Sequence, residues 1–139
     1  YNRYTQATPA VAIIHGFGLQ RGAIASSVAH DSHNIIAVGV NDEDLVDAIN
    51  AVVNCKGGVV ACHNKDVHQL ALPVAGLMSN EDGYKVADAY TAIDKMVKEE
   101  LGSHLNAAFM TLSFMALLVI PHLKLSDKGL FDGDTFSFV

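Results

Sequence analysis

A chain of 139 residues, half of them hydrophobic, can bury one core and is too short for two typical domains. Its formal net charge is −6, and its nine Lys and Arg residues are scattered singly or in pairs. No basic stripe is present to neutralise phosphates, so this composition argues against nucleic-acid binding. We expect a single domain over residues 1–139.

The first part of the chain carries three strand patterns. Residues 11–19 mix apolar and turn residues, which predicts a strand that bends at Gly16 and Gly18. A second strand is predicted over residues 22–28. Residues 35–40 are almost wholly apolar, which is typical of a strand buried on both faces. The polar residues between the last two patterns are expected to connect two strands or to form a bulge within one.

The middle of the chain predicts two helices and a hairpin. Asn41 precedes three acidic residues and an apolar stripe, and together they predict a helix at about 43–55. Residues 58–63 and 67–72 are strand-like with turn residues between them, which predicts a β-hairpin. A capping-box pattern at 79–82 and apolar residues at helical spacing predict a long helix over 83–101.

The last part of the chain is ambiguous. The apolar run over residues 107–120 fits a strand or a buried helix, and it is shorter than the roughly 20 residues that cross a bilayer. We therefore expect it in the core and no membrane partner. Residues 123–132 predict a loop in which Ser126 and Asp127 cap a turn. The predicted fold class is α+β: a mainly antiparallel sheet with two or three helices packed on it.

Cysteine usage and the start of the chain bear on its location. Cys55 and Cys62 are too far apart in sequence for a zinc knuckle or a redox motif, so we expect free thiols, with a disulfide as the alternative. An acidic chain without a signal peptide favours the cytoplasm. Because the chain starts at Tyr1 rather than Met, we expect it to be a piece of a longer protein.

The densest group of reactive side chains lies in residues 25–34. Imidazoles titrate near neutrality and bind metals, and a neighbouring carboxylate can fix their tautomer. The candidate active-site contributors are Ser27, His30, Asp31, His33 and Asn34. The alternative is a structural loop whose Asp and Ser side chains cap local backbone. No nucleophile-elbow pattern accompanies the serines, which argues against a Ser-His-Asp triad.

His30 and His33 are also metal-ligand candidates. Their spacing places them on one side of a helix but on opposite faces of a strand, so the strand context weakens a two-histidine metal pair. A third ligand would have to come from another side chain or another chain. The candidates within this chain are His15, Asp31 and His63.

Three unusual stretches carry a family resemblance: residues 16–34, residues 72–79, and residues 109–114 together with 123–131. In this order they are similar to the C-terminal domain of microbial adenine deaminase, a member of the amidohydrolase superfamily. The resemblance covers nearly the whole chain. It implies an enzyme of purine salvage that hydrolyses adenine to hypoxanthine and ammonia.

The resemblance also implies what lies outside this chain. The family's divalent metal, Mn or Fe with Zn as the alternative, is held in an upstream (β/α)₈ barrel with a His-x-His strand. No His-x-His occurs in this chain. The chain is also too short for such a barrel, which typically has about 250 residues. The implied partners are that barrel, adenine as its substrate, and a second copy in a homo-oligomer.

These implications leave several functions open for this chain. Alone it is expected to be inactive, while the polar loop faces the barrel mouth of the intact enzyme. One alternative is a non-catalytic interdomain or oligomerisation module. Another alternative is a small metal-binding hydrolase that uses His30 and His33.

Overall fold

Two antiparallel sheets and three helices make up the structure, a computed structural model that describes residues 1–139. This arrangement confirms the predicted α+β class. The elements are β1 (Ala23–Ser26), β2 (Ile36–Gly39), α1 (Asp42–Asn54), β3 (Gly58–His63), β4 (Asp66–Ala71), α2 (Gly83–Glu99), α3 (Ala108–Phe114), β5 (Leu123–Ser126), β6 (Gly129–Asp132) and β7 (Ser137–Phe138).

The larger sheet has the order β2-β1-β3-β4 and is covered on both faces. Along β1 the side chains alternate, so that Ile24 packs with α2 and α3 while Ala23 and Ala25 pack with α1. Two hydrophobic cores result, one on each face of the sheet. Every residue of β1 is buried, as its place between β2 and β3 in the interior of the sheet requires.

The predicted burial of residues 35–40 is wrong. All four residues of β2 are only half-buried, although the preceding Ile35 is buried. The reason is position, because β2 lies at the edge of the sheet and β1 occupies its centre. An apolar run therefore identified a strand correctly without identifying its place in the sheet.

Local capping signals place both long helices close to their predicted bounds. The backbone N–H of Asp44 donates to Asn41 Oδ1 at 2.7 Å, which caps α1. At the start of α2 the cap is Asp82, whose Oδ1 accepts from the backbone N–H of Tyr84 at 3.1 Å. The expected capping box at Ser79 is wrong, since Ser79 Oγ accepts from the N–H of Glu81 in the preceding turn.

The C-terminal third differs more from expectation. The ambiguous run over 107–120 contains the short helix α3 and then turns. The loop predicted over 123–132 is wrong, because β5 and β6 pair as a hairpin there. Ser126 does cap its turn, with Ser126 Oγ accepting from the N–H of Lys128 at 3.0 Å. Together with β7 these strands form the smaller sheet.

The strand predicted over residues 11–19 does not form in this chain. Residues 6–16 make no backbone hydrogen bond to any other part of the structure. A strand exists only when another strand completes its hydrogen bonds, and here none does. Residues 11–19 therefore have the sequence of a strand but do not form one in this chain.

Two further expectations concern the cysteines and the membrane. Cys55 and Cys62 are both free, as predicted. Burial is the main cause that raises the pKa of each thiol above its ordinary value, which favours the neutral, unreactive form. None of the three helices has the length and apolar character needed to span a bilayer.

Candidate functional site

Residues 27–35 connect β1 to β2, as the sequence predicted for the polar cluster, and we call this segment the histidine loop. Ser27 anchors its base. The Ser27 hydroxyl donates to the carbonyl of Gly76 at 2.6 Å and accepts from the backbone N–H of Gly58 at 2.8 Å. Ser27 is 0% exposed, so this hydroxyl is used within the fold.

The structure brings His30 and His33 together. Their ring centroids lie 5.8 Å apart with the rings edge to face. His33 has a φ of 52°, a left-handed conformation that folds the loop back, and its N–H donates to the carbonyl of Ala29 at 2.7 Å. The strand geometry that would separate the two imidazoles does not apply to this turn. The two histidines therefore form one pair at the surface of the loop.

Helix α3 packs against His30, one member of the pair. The His30 ring packs against Phe114 with a centroid distance of 5.2 Å, and the His30 backbone N–H donates to the carbonyl of Ser113 at 3.3 Å. His33 Nδ1 is buried and has no hydrogen-bond partner in the chain. Buried polar atoms without a partner are rare in native proteins. His33 Nδ1 is one of two such atoms in this chain, the other being Ser113 Oγ.

The remaining candidates take different positions. Asp31 lies exposed at the tip of the loop and its carboxylate makes no hydrogen bond or ion pair. Asn34 is buried, and its Oδ1 accepts from the backbone N–H of Arg3 at 3.3 Å. Asp31 therefore points away from the fold, whereas Asn34 and Ser27 secure the loop.

The first residues of the chain clamp the loop, which sequence reasoning missed. Arg3 Nε donates to the carbonyl of His33 at 2.6 Å, and Arg3 Nη2 donates to the carbonyl of Ala75 at 2.7 Å. The Tyr4 hydroxyl donates to the carbonyl of Ser32 at 3.0 Å. Arg3 lies 30 and 72 positions from its two partners along the chain. No local pattern signals contacts of that range.

The residues around the pair do not make a metal centre by themselves. A catalytic zinc site uses three protein ligands, and no three His, Cys, Asp or Glu side chains in the chain converge in this way. His15 is exposed on the unpaired segment, and His63 contacts Asp44. Neither of these suggested third ligands reaches the pair.

A second polar cluster has a structural role. Asp44, at the start of α1, is buried, and its carboxylate accepts from the backbone N–H of Asn64 at 2.7 Å and from Asn41 Nδ2 at 2.8 Å. His63 Nδ1 lies 3.3 Å from Asp44 Oδ2. Burial alone would raise the pKa of Asp44, but these hydrogen bonds outweigh it and hold the pKa below its ordinary value. This cluster links α1 to the turn between β3 and β4.

Comparison with known proteins identifies the family. A family model described as the adenine deaminase C-terminal domain matches residues 1–137. Proteins named adenine deaminase from Sulfurovum sp. and Salinibacter ruber are 59% and 58% identical to this chain, and one from Methanosarcina acetivorans is 51% identical.

Each of these three alignments covers 99% of this chain but only 25% or 26% of the relative. The chain therefore spans about a quarter of the length of the curated relatives that it matches. By both the family model and these relatives, the chain belongs to the family of adenine deaminase C-terminal domains.

Proposed function

We propose that this chain serves as the C-terminal domain of a cytoplasmic, metal-dependent adenine deaminase of purine salvage, which converts adenine and water to hypoxanthine and ammonia. Family membership supports the reaction, and the length of the relatives supports a separate catalytic domain. In this proposal the catalytic domain is an upstream (β/α)₈ barrel, and the histidine loop faces it. The domain alone has no turnover.

The pair formed by His30 and His33 carries the proposed role of the loop. Both side chains are half-buried, so part of each ring faces outward, and the ring centroids lie 5.8 Å apart. An imidazole can donate or accept a hydrogen bond near neutral pH, so the pair can contact a polar group of another domain or of a ligand. The clamp by Arg3 and Tyr4 holds the loop in place, as precise positioning requires.

The proposal gives the loop residues separate tasks. His30 and His33 contact the substrate or orient a group of the barrel, and Asp31 contributes from the exposed tip. Ser27 and Asn34 hold the loop in position. A divalent metal in the barrel, Mn or Fe with Zn as the alternative, lowers the pKa of the attacking water when bound.

The test uses the full-length enzyme with His30→Ala, His33→Ala and Asp31→Ala made singly. Loss of a residue that orients catalytic groups lowers activity by about 10- to 100-fold, so we expect such a fall in kcat/KM for adenine in the two histidine variants. His68→Ala is the matched control, because the His68 side chain is exposed on β4 and its hydrogen-bond partner is the exposed Asp66. Wild-type kcat and KM in all three loop variants would contradict the proposal.

A non-catalytic interdomain or oligomerisation role is the second candidate. It is favoured by exposed apolar side chains, among them Val11 and Ile13. Under this role alone, the three loop variants would keep wild-type kinetics while the thermal stability or the mass of the assembly changed.

A further inference from the structure

Residues 6–16 form a segment whose backbone is unsatisfied by the rest of the chain. None of their N–H or C=O groups makes a hydrogen bond. Residues 6–15 contain no helix, turn or bend, so the backbone runs without a sharp change of direction. A row of backbone N–H and C=O groups without hydrogen-bond partners is a template for pairing with another strand.

The side chains of this segment are those of a strand. Val11 is 85% exposed and Ile13 is 102% exposed, and Ile14 is exposed as well. β-Branched residues are enriched in strands, where they pack well on a pleated surface. Contiguous exposed apolar residues mark sites where another protein surface binds. Backbone and side chains thus point to the same missing neighbour.

The segment adjoins the surface proposed to face the catalytic domain. Residues 9–12 line an apolar groove of about 260 Å³ together with Ser32 and Asn34 of the histidine loop. Ile36 and Ala37 of the edge strand β2 line the same groove, yet the segment makes no hydrogen bond to β2. The chain's own sheet edge therefore does not serve as the partner.

We propose that Ala10 to His15 form a β-strand that pairs with the edge of a sheet in the remaining part of the deaminase polypeptide. This inference rests on the proposed function, in which the chain is one domain of a longer enzyme. About three quarters of each relative lies outside the matched part, which is ample to supply such an edge. Main-chain hydrogen bonds give such an interface its affinity, and the alternate apolar side chains give it specificity.

Amide hydrogen exchange of the full-length enzyme, read by mass spectrometry over residues 6–16, tests the pairing. Paired amides exchange only through local opening, so we expect exchange at least ~100-fold slower than in an unstructured peptide. The slowing should be equal at high and low protein concentration, because the partner is in the same polypeptide. Exchange at the unstructured rate would overturn the proposal.

Two further comparisons identify the occupant. Ile13→Asp should speed exchange across the segment at least tenfold, whereas Tyr84→Asp, which replaces a large exposed side chain on α2, should leave it unchanged. Protection that disappears when dilution yields monomers would assign the pairing to a second copy and overturn the proposal as stated. Exchange is read without turnover, so failure of the deaminase assay and failure of strand pairing are separate results.

Discussion

Asp44 shows how a buried carboxylate stays charged in this fold. It is 3% exposed, and burial works against its ionisation. Hydrogen bonds from Asn41, Asn64 and His63 more than compensate, and the pKa of Asp44 falls below its ordinary value. Because the charged form is favoured in the folded state, this residue makes stability depend on pH in the acid range.

The sign of that dependence gives a first prediction. The Asp44 contribution is complete above the ordinary pKa of 3.8 and is lost as pH falls through the lowered pKa of the folded state. The free energy of unfolding of this chain, measured by urea titration, should decline as the pH falls below about 5.

Asp44→Asn should remove part of this decline and also lower stability at neutral pH by about 1.5–3 kcal/mol. Asp88→Asn, at an exposed position on α2, serves as the control and should keep the wild-type pH profile. An unchanged profile in Asp44→Asn would show that other groups govern acid unfolding.

The candidate site could be predicted only as a list of residues. Local composition identified the loop and its histidines, and the flanking strand patterns correctly made it a connection. The pairing of the rings could not be predicted, since it depends on the left-handed backbone of His33 and on Phe114 from a distant helix. The Arg3 clamp and the contact between Asp44 and His63 likewise join residues far apart in sequence.

At the level of elements, the two long helices and the hairpin of β3 and β4 were predicted well, because their signals are local. The cap at Asn41 and the turn residues after His63 act within a few positions, so sequence alone reveals them. The strand predicted over residues 11–19 is wrong because a strand needs a partner edge, and the sequence pattern does not reveal whether the chain contains one. The sequence does not predict the hairpin of β5 and β6, because each strand has only four residues and the capped turn between them gives the stronger local signal.

The turn from α1 into β3 supplies a second prediction. Gly57 has a φ of +115°, and a Cβ there would lie 2.4 Å from the Cα of Gly76. Gly57→Ala should therefore destabilise this chain by about 1–3 kcal/mol, measured as a lower urea midpoint.

Gly83 is the matched control for that substitution. Gly83 is the first residue of α2, and a Cβ added there would meet open space. Gly83→Ala should therefore stabilise the chain by about 0.4–1 kcal/mol, because alanine lowers the conformational entropy of the unfolded chain. Equal midpoints for the two variants would mean that the turn relaxes to accept a side chain.

For the molecule as a whole, the missing ligand set predicts the behaviour of the isolated chain. Two imidazoles with ring centroids 5.8 Å apart do not make the three-ligand set that a catalytic zinc uses. Under the proposed function, residues 1–139 alone, supplied with adenine and Mn²⁺, should release no ammonia above the buffer rate, whereas the full-length protein should. Turnover by the isolated chain at a rate near that of the full-length enzyme would instead favour a self-contained hydrolase.

The many attachments of the histidine loop have a consequence for motion. Ser27 fixes its base, Arg3 and Tyr4 hold its backbone, and α3 supports the ring of His30. A segment held at so many points has little freedom to open and close as a lid. If a small molecule is enclosed at this surface, the enclosing movement belongs to whole domains. Under the proposed function, closure over a bound ligand would then be a rigid-body movement that carries the histidine loop along unchanged.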